Sequence, residues 1–422
     1  MARLACVRRF ALPLVLAGLL SGPCATLWLA GTSHGFRAAR LSATNILRRV
    51  RPEHTKKLRK AKEALSQDSN LLRAQKRATS QIAACKSAEE VLSVVGSTRP
   101  QELNEISLSA SITRIAQLQP QNLASQQQQT PTFEALLERL DEYLRNPAVQ
   151  HVSVASVLWA IAASRENIPE FQKLLPAAVL GLESSVHKMR EREITNSIWA
   201  VATLHTYVPE SRSCLKIDSV CELFAGQPRT FGRIRSVQAV GNALWALGRL
   251  RNVAPPRLQE QLEPVLLARC REILACDVFQ VDRTVRLSGV ARVAWALALL
   301  ERPDEGILGR VRHFFVESAG TCSGSRLLPF VDVLCALAKL NMTDGGLVEV
   351  VAARPWSLKS MRDWDLCALT WSHEALDLQK RFSNFHATLR KEIATRRLNE
   401  GHILHSQLGY EEWNTNLDEE GL

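Results

Sequence analysis

The chain of 422 residues lacks the sequence signatures on which common enzyme classes depend. It has no GxxxxGK loop followed by Ser or Thr to cradle phosphates, no GxGxxG after a strand, no HExxH helix and no GxSxG turn. Each of these is the geometry of a particular chemistry, so the chain is expected to be non-catalytic, with no cofactor and no small-molecule substrate. Its ten cysteines are scattered, with no CxxC pair and no Cys/His quartet at zinc spacing. They read as small buried residues rather than a disulfide framework or a metal site. His402 and His405 share a helix face in GHILH but have no further ligands, and Asp363 and Asp365, around Trp364, read as the start of a helix.

Negative charge is missing from the N-terminus. Residues 1–52 contain eight Arg and no Lys, Asp or Glu, and residues 53–77 contain eight basic against three acidic residues. Of a formal net charge of +11, the remaining residues 78–422 therefore carry about −2. Overall basicity thus says nothing about whether the body of the chain binds nucleic acid.

Residues 1–30 join a basic start to an apolar run from Phe10 to Ala30, as in a signal sequence, with cleavage after Ala25 or Ala30 or retention as an anchor as the alternatives. Residues 31–52 are rich in Arg, Ser and Thr, the composition of a transit peptide. Together they resemble the bipartite presequence of complex plastids, a mitochondrial presequence being the alternative, and membrane contact is expected only through this segment. Residues 53–77 form a basic lead-in, 78–410 a repeat array and 411–422 an acidic tail. Gln119 to Gln128 is a low-complexity loop.

The body of the chain repeats. VGNALWALGRL at Val240–Leu250 has relatives around Trp159 (ASVLWAIAA), Trp199 (TNSIWAVATL), Trp295 (ARVAWALALL), Cys335 (VDVLCALAKL) and Trp371 (CALTWSHEAL). Taking these six residues as one anchor position, the intervals are 40, 46, 50, 40 and 36 residues, which marks stacked supersecondary units. Apolar residues fall five before, one before, two after and five after the anchor, the stripe of a helix and not the alternation of a strand. Small residues at three after, such as Ala202, Gly248 and Ala298, let neighbouring helices approach closely, and the anchor Trp residues read as core. An earlier, degenerate unit has Thr113 at the anchor. Each signature helix follows an amphipathic partner: Phe133 to Arg145, Phe171 to Lys188, Cys214 to Phe224, Pro256 to Ala275, Gly306 to Ser318 and Leu347 to Trp356. Leu378 to Arg397 closes the series as a charged helix. The expected fold is an all-α solenoid of six to seven helix-turn-helix repeats.

LWALGRL, with SIWAVATL, VAWALALL and VLCALAKL, resembles the second helix of organellar helical-repeat proteins. These are the octotricopeptide-repeat proteins and the arrays of FAST-kinase-like and RAP-domain proteins. It is also similar to the helical-repeat domain of a subunit of the kinetoplastid RNA-editing substrate-binding complex. The resemblance covers roughly residues 77 to 400, although its unit length varies and no terminal RAP-like domain follows. It implies binding of organellar mRNA or rRNA in transcript stability, processing, editing or translation, alongside other subunits of an RNA-processing complex. A protein–protein scaffold of the same architecture is the alternative, favoured by the near-neutral array.

Two sets of residues are candidates for ligand contact. Positions seven before, three before and four after the anchor lie within about 40° of one another on a helix. At three before stand Ser156, Asn196, Asn242, Arg292, Asp332 and Ala368, of which the first five are the candidate base-reading residues. Between Leu223 and Gln259 there are six arginines and no Asp, Glu or Lys. Arg229, Arg233, Arg235, Arg249, Arg251 and Arg257 are the candidate phosphate contacts, through bidentate guanidinium forks.

Overall fold

A computed structural model describes residues 70–118, 131–276, 283–319, 328–342, 346–352 and 358–398. The targeting segments, residues 53–69 of the lead-in, the glutamine-rich loop, His402, His405 and the acidic tail lie outside the described residues. Among the described residues the chain is helical throughout and contains no strand.

The helices in chain order are α1 (70–84), α2 (Ala88–Ser97), α3 (Glu105–Leu118), α4 (Pro131–Leu144), α5 (His151–Ala163), α6 (Leu175–Ser185), α7 (Glu191–Tyr207) and α8 (Ile217–Ala225). They continue with α9 (Val237–Leu250), α10 (Pro256–Ala275), α11 (Arg283–Leu299), α12 (Glu305–Ala319), α13 (Leu328–Lys339), α14 (Leu347–Ala352), α15 (Asp363–Ala375) and α16 (Ser383–Thr395). The signature helices are the odd-numbered members from α3 to α15, and each packs on the next. The even-numbered helices from α2 to α14 form a second row, each against its neighbours in that row, and the two rows pack together. Contacts run between successive units, so the protein is an all-α solenoid, and each unit buries its apolar face only by stacking on the next.

Packing follows the sequence pattern. Trp159, Trp199, Trp245, Trp295 and Cys335 are all buried, as the apolar character of the anchor requires. In the outer row Phe133 stacks on Phe171 with ring centroids 5.9 Å apart, joining α4 to the turn before α6. Phe315 meets Phe330 edge to face at 4.8 Å and joins α12 to α13. Such pairs add about 0.5–1.5 kcal/mol beyond the area they bury. The tightest seam lies between α9 and α11. A Cβ placed on Gly248 would come 2.6 Å from Leu299 Cβ, and one on Gly241 would come 3.1 Å from the Gly289 carbonyl oxygen. Only a residue without a side chain permits that approach.

Two partner helices and the closing helix depart from their expected bounds. The segment Phe171 to Lys188 opens and closes in 3-10 turns, Pro169–Leu174 and Val186–Lys188, around α6. Cys214 to Phe224 is broken at Lys216, whose φ of 44° is left-handed and cannot continue a helix. The expected helix from Leu378 starts only at Ser383, because Asp377, at φ 51°, turns the chain after α15. Asp363 and Asp365 occupy the first turn of α15. Arg362 grips Asp365 at 2.9 and 3.2 Å, and Arg396 pairs with Asp363 at 2.8 Å. Both carboxylates therefore fasten the C-terminal end of the array.

Candidate nucleic-acid interface

A helix inside the signature row has neighbours on both sides and the outer row behind it, so little of its surface stays open. In α5 every residue from Ser153 to Ala163 is buried except Ser156. In α7 every residue from Ile194 to Leu204 is buried except Asn196, and in α9 every residue from Val240 to Leu247 except Asn242. The one open position is the same in all three helices, three before the anchor.

These residues line a groove across the row. One segment, of about 390 Å³, runs between α7 and α9 past Asn196 and Asn242, with Trp159 at its edge. The next, of about 470 Å³, runs from α3 to α7 past Thr113, Ser156 and Asn196. Trp159, Arg192 and Asn196 border both segments, which places the two side by side along the row. Each volume falls in the range of about 300–1,000 Å³ found for ligand sites.

Hydrogen bonding separates structural polar groups on these helices from open ones. The Thr113 hydroxyl donates to the Ser109 carbonyl at 2.8 Å, Ser109 to Ser153 Oγ at 3.3 Å, and Thr195 to the Glu191 carbonyl at 2.5 Å. Ser156 and Asn196 have no side-chain partner among the described residues. Asn242 uses its Oδ1 to accept from Arg292 Nη1 and leaves its amide hydrogens unused. Ser156, Asn196 and Asn242 are half-buried, and three adjacent units thus place unused hydrogen-bonding groups on one line, where the polar groups of a ligand can take the place of water.

The stripe does not stay open along the whole row. Arg292, 5% exposed, and Asp332, 3% exposed, are buried, and Ala368 is apolar and buried. Arg292 closes the groove by bonding back to Asn242, so of the five candidate base-reading residues the fold brings together Ser156, Asn196 and Asn242.

The six arginines are not one cluster in space. Arg229, Arg233 and Arg235 are exposed before the N-terminus of α9, whereas Arg249, Arg251 and Arg257 stand at or beyond its C-terminal end. A 14-residue helix puts about 20 Å between the two groups. Arg251 pairs with Glu301 at 2.9 Å and Arg257 with Glu222 at 2.7 Å. Arg249 stacks on Trp245 and Tyr207 and donates to the Tyr207 hydroxyl at 3.3 Å. The second group therefore ties repeats together, and of the six only Arg235 lines the groove.

Arg192, exposed at the groove rim, did not stand out in the sequence because it lies in the mixed-charge run of Lys188, Arg190, Glu191, Arg192 and Glu193, whose signs nearly cancel. The signal that finds it is geometric: it stands seven before Trp199, one turn ahead of Asn196 on the same stripe. Acidic residues border the groove too. Glu193 is engaged in capping α7, accepting from the Arg190 backbone NH at 2.8 Å, and Glu191 faces the α7–α9 segment. Arg114 is tethered to the Cys85 carbonyl at 2.6 and 2.9 Å.

Among the described residues no three His, Cys, Asp or Glu side chains converge to hold a metal ion, and no helix is long and apolar enough to cross a membrane. The class of protein defined here is a two-row helical array with a polar groove across its first units. No family model matches the chain and no curated protein matches it.

Proposed function

We propose that this protein is a non-catalytic RNA-binding array of an organelle, of the kind its likeness to octotricopeptide-type repeats implies. In this reading it reads single-stranded RNA through the groove across α3, α5, α7 and α9. The observation that carries it is the line of Ser156, Asn196 and Asn242, one polar side chain per unit at a fixed register with hydrogen-bonding capacity left over, although Asn242 gives its Oδ1 to Arg292. Single-stranded bases splayed from their stack are read in this way, one base per helical repeat. An amide has both a donor and an acceptor and fits the edge of a base, whereas an apolar peptide would leave these groups unpaired at a cost. The basic, acid-free N-terminus supports delivery to a plastid or mitochondrion, where the RNA would be mRNA or rRNA.

The test is selection of RNA from a randomised pool by the full chain and by the S156A/N196A/N242A variant. The proposal expects an enriched sequence with the parent and loss of that enrichment with the variant at unchanged helicity. Equal enrichment by both, or none by the parent, would reject the groove as a reader and favour a protein–protein scaffold, which the near-neutral charge of residues 78–422 suits.

A further inference from the structure

The proposed reading leaves open where the phosphates of a bound strand would lie. The acid-free interval between Leu223 and Gln259 suggested a single clamp of six arginines, but the fold distributes them to opposite ends of α9 and commits Arg251 and Arg257 to carboxylates. Within the groove the geometry points to a different pair. We infer that Arg192 and Arg235 are the phosphate contacts of the groove, so that the sugar–phosphate backbone follows the N-terminal rim of α7 and α9 and the bases reach inward to the open stripe. This inference rests on the RNA-binding reading.

Three features of the structure support it. First, Arg192 and Arg235 are exposed and neither has a carboxylate or hydrogen-bond partner among the described residues. Arg114, at the same groove, is tethered to a backbone carbonyl. Second, their register fits. Arg192 lies one turn N-terminal to Asn196, about 6 Å along the helix axis. Arg235 immediately precedes Ser236, whose hydroxyl caps α9 by accepting from the Ala239 NH at 3.0 Å, about two turns from Asn242. A backbone at the rim and bases at mid-helix would thus be served by side chains of adjacent units. Arg192 also borders both groove segments, so one guanidinium can reach a phosphate between two successive bases. Third, residues of the N-terminal turns of α7 and α9, helices of 17 and 14 residues, line the same groove segment, where the positive ends of the two helix dipoles favour an anion.

The carboxylates at the rim set the balance. Glu193 is occupied at the cap of α7, and Glu191 is the remaining acidic side chain of the α7–α9 segment. In the α7–α9 segment Arg192 and Arg235 face the carboxylate of Glu191, while Glu193, which keeps its charge at the cap, borders the neighbouring segment.

The experiment measures binding of a labelled 15-nucleotide single-stranded RNA by the full chain over a salt series. It compares the parent with R192Q/R235Q, R192K/R235K and R251Q/R257Q. Each lost phosphate contact lowers the slope of log affinity against log salt by about 0.7 for a single strand. R192Q/R235Q should lower it by about 1.4 and weaken all RNA sequences alike, because phosphates carry no sequence information. R192K/R235K should keep the slope, since the charge remains, and R251Q/R257Q should keep it too, since those residues are committed to carboxylates. The basic N-terminus contributes equally to all four proteins and cancels in the comparison. If the parent selects RNA sequences while R192Q/R235Q retains the full slope, the phosphate assignment fails and the groove reading stands. A drop in slope with R251Q/R257Q alone would move the backbone to the C-terminal ends of the helices and overturn the inference. If the parent shows no groove-dependent selection, both readings fail.

Discussion

The two ends of the signature row are built on the same repeat yet treat the same position oppositely. In α5, α7 and α9 the residue three before the anchor is the one opening in an otherwise buried stretch. In α11, α13 and α15 the equivalent Arg292, Asp332 and Ala368 are buried, and Arg292 turns back to bond Asn242. The anchors vary less, for Trp159, Trp199, Trp245, Trp295 and Cys335 are buried and Trp371 in α15 is half-buried. The contrast separates two roles within one motif. From α5 to α13 the anchor and the small residues beside it pack into the core, while the stripe residue is open in some units and packed in others.

The largest effect that tests this separation is on the core. Trp245→Ala and Trp295→Ala should each cost about 3–5 kcal/mol in denaturant unfolding, the penalty for removing a large aromatic from a packed interior. Equal losses on the two sides of the α9–α11 seam are expected. A Trp245 variant that unfolds like the parent but no longer binds RNA would make that residue a ligand contact, and the division between fold and site would collapse.

Acid should then divide the two ends. His373, in α15, is buried beside Phe385 and stacks on His386 at 5.3 Å, and neither of its ring nitrogens has a hydrogen-bond partner. Burial, and secondarily the neighbouring His386, push its pKa down to about 4. The charged groups facing this pair are Glu374, on α15, and Arg390, on α16, which form an ion pair. A folded-state pKa below the unfolded value near 6.5 means that the unfolded chain takes up the proton first. The stabilisation is complete above about pH 6.5 and is lost as pH falls towards about 4, by on the order of 3 kcal/mol. His205, in α7, is held down in the same direction by burial and by Arg212, so the first units also lose stability in acid. Hydrogen exchange at pH 7 and pH 4.5 should show α15 and α16 losing the most protection, and His373→Phe should remove that excess. Uniform loss along the row would mean that the pair at the C-terminal end is not the weak point.

The fold was legible because its causes are local and repeated. A helical stripe at five before, one before, two after and five after an apolar anchor, complete around Trp199, Trp245, Trp295 and Cys335 and partial around Trp159 and Trp371, admits few architectures besides stacked helix pairs. The glycine at three after Trp245 announced the close seam with α11. The site was legible only in part. A repeat fixes which face of a helix a residue occupies, so the open line of Ser156, Asn196 and Asn242 could be read in advance. It does not say whether the neighbouring unit covers that face, and the Arg292 side chain, long enough to reach Asn242, closes the stripe where periodicity alone expected another reader. The arginines misled for a related reason. Nearness in sequence from Arg229 to Arg257 spans a full helix, whose ends lie on opposite edges of the row. Arg192 was hidden in a run of mixed charge, with Glu191 and Glu193 on either side of it.

A smaller effect compares open and closed readers directly. Asn196→Ala and Asn242→Ala should change preference among RNA sequences by about 1–3 kcal/mol per lost base contact, on the scale of base readout in DNA. Asp332→Ala should alter stability and leave preference unchanged. Competition binding with matched and mismatched RNAs measures the first, and thermal unfolding the second. If Asp332→Ala shifts preference as strongly as Asn196→Ala, the groove extends beyond Arg292 in solution and the row is open along its whole length.

The smallest effect concerns Glu191, whose carboxylate faces the same groove segment as Arg192 and Arg235. It sits in the first turn of α7, where a negative charge at the helix N-terminus contributes about 0.3–1 kcal/mol to the helix. Toward a phosphate backbone at that rim it acts as a like charge. Glu191→Gln should therefore lower stability slightly and tighten RNA binding by less than about 1 kcal/mol, the scale of exposed charge interactions. The gain should fade at high salt, because screening shortens the reach of exposed charges to about 10 Å at 0.1 M and about 3 Å at 1 M. Binding that weakens instead, with loss confined to particular RNA sequences, would make Glu191 an acceptor for a base amino group. The first units would then read with a carboxylate as well as with amides, and the backbone would have to run elsewhere than the rim that Glu191 shares with the two arginines.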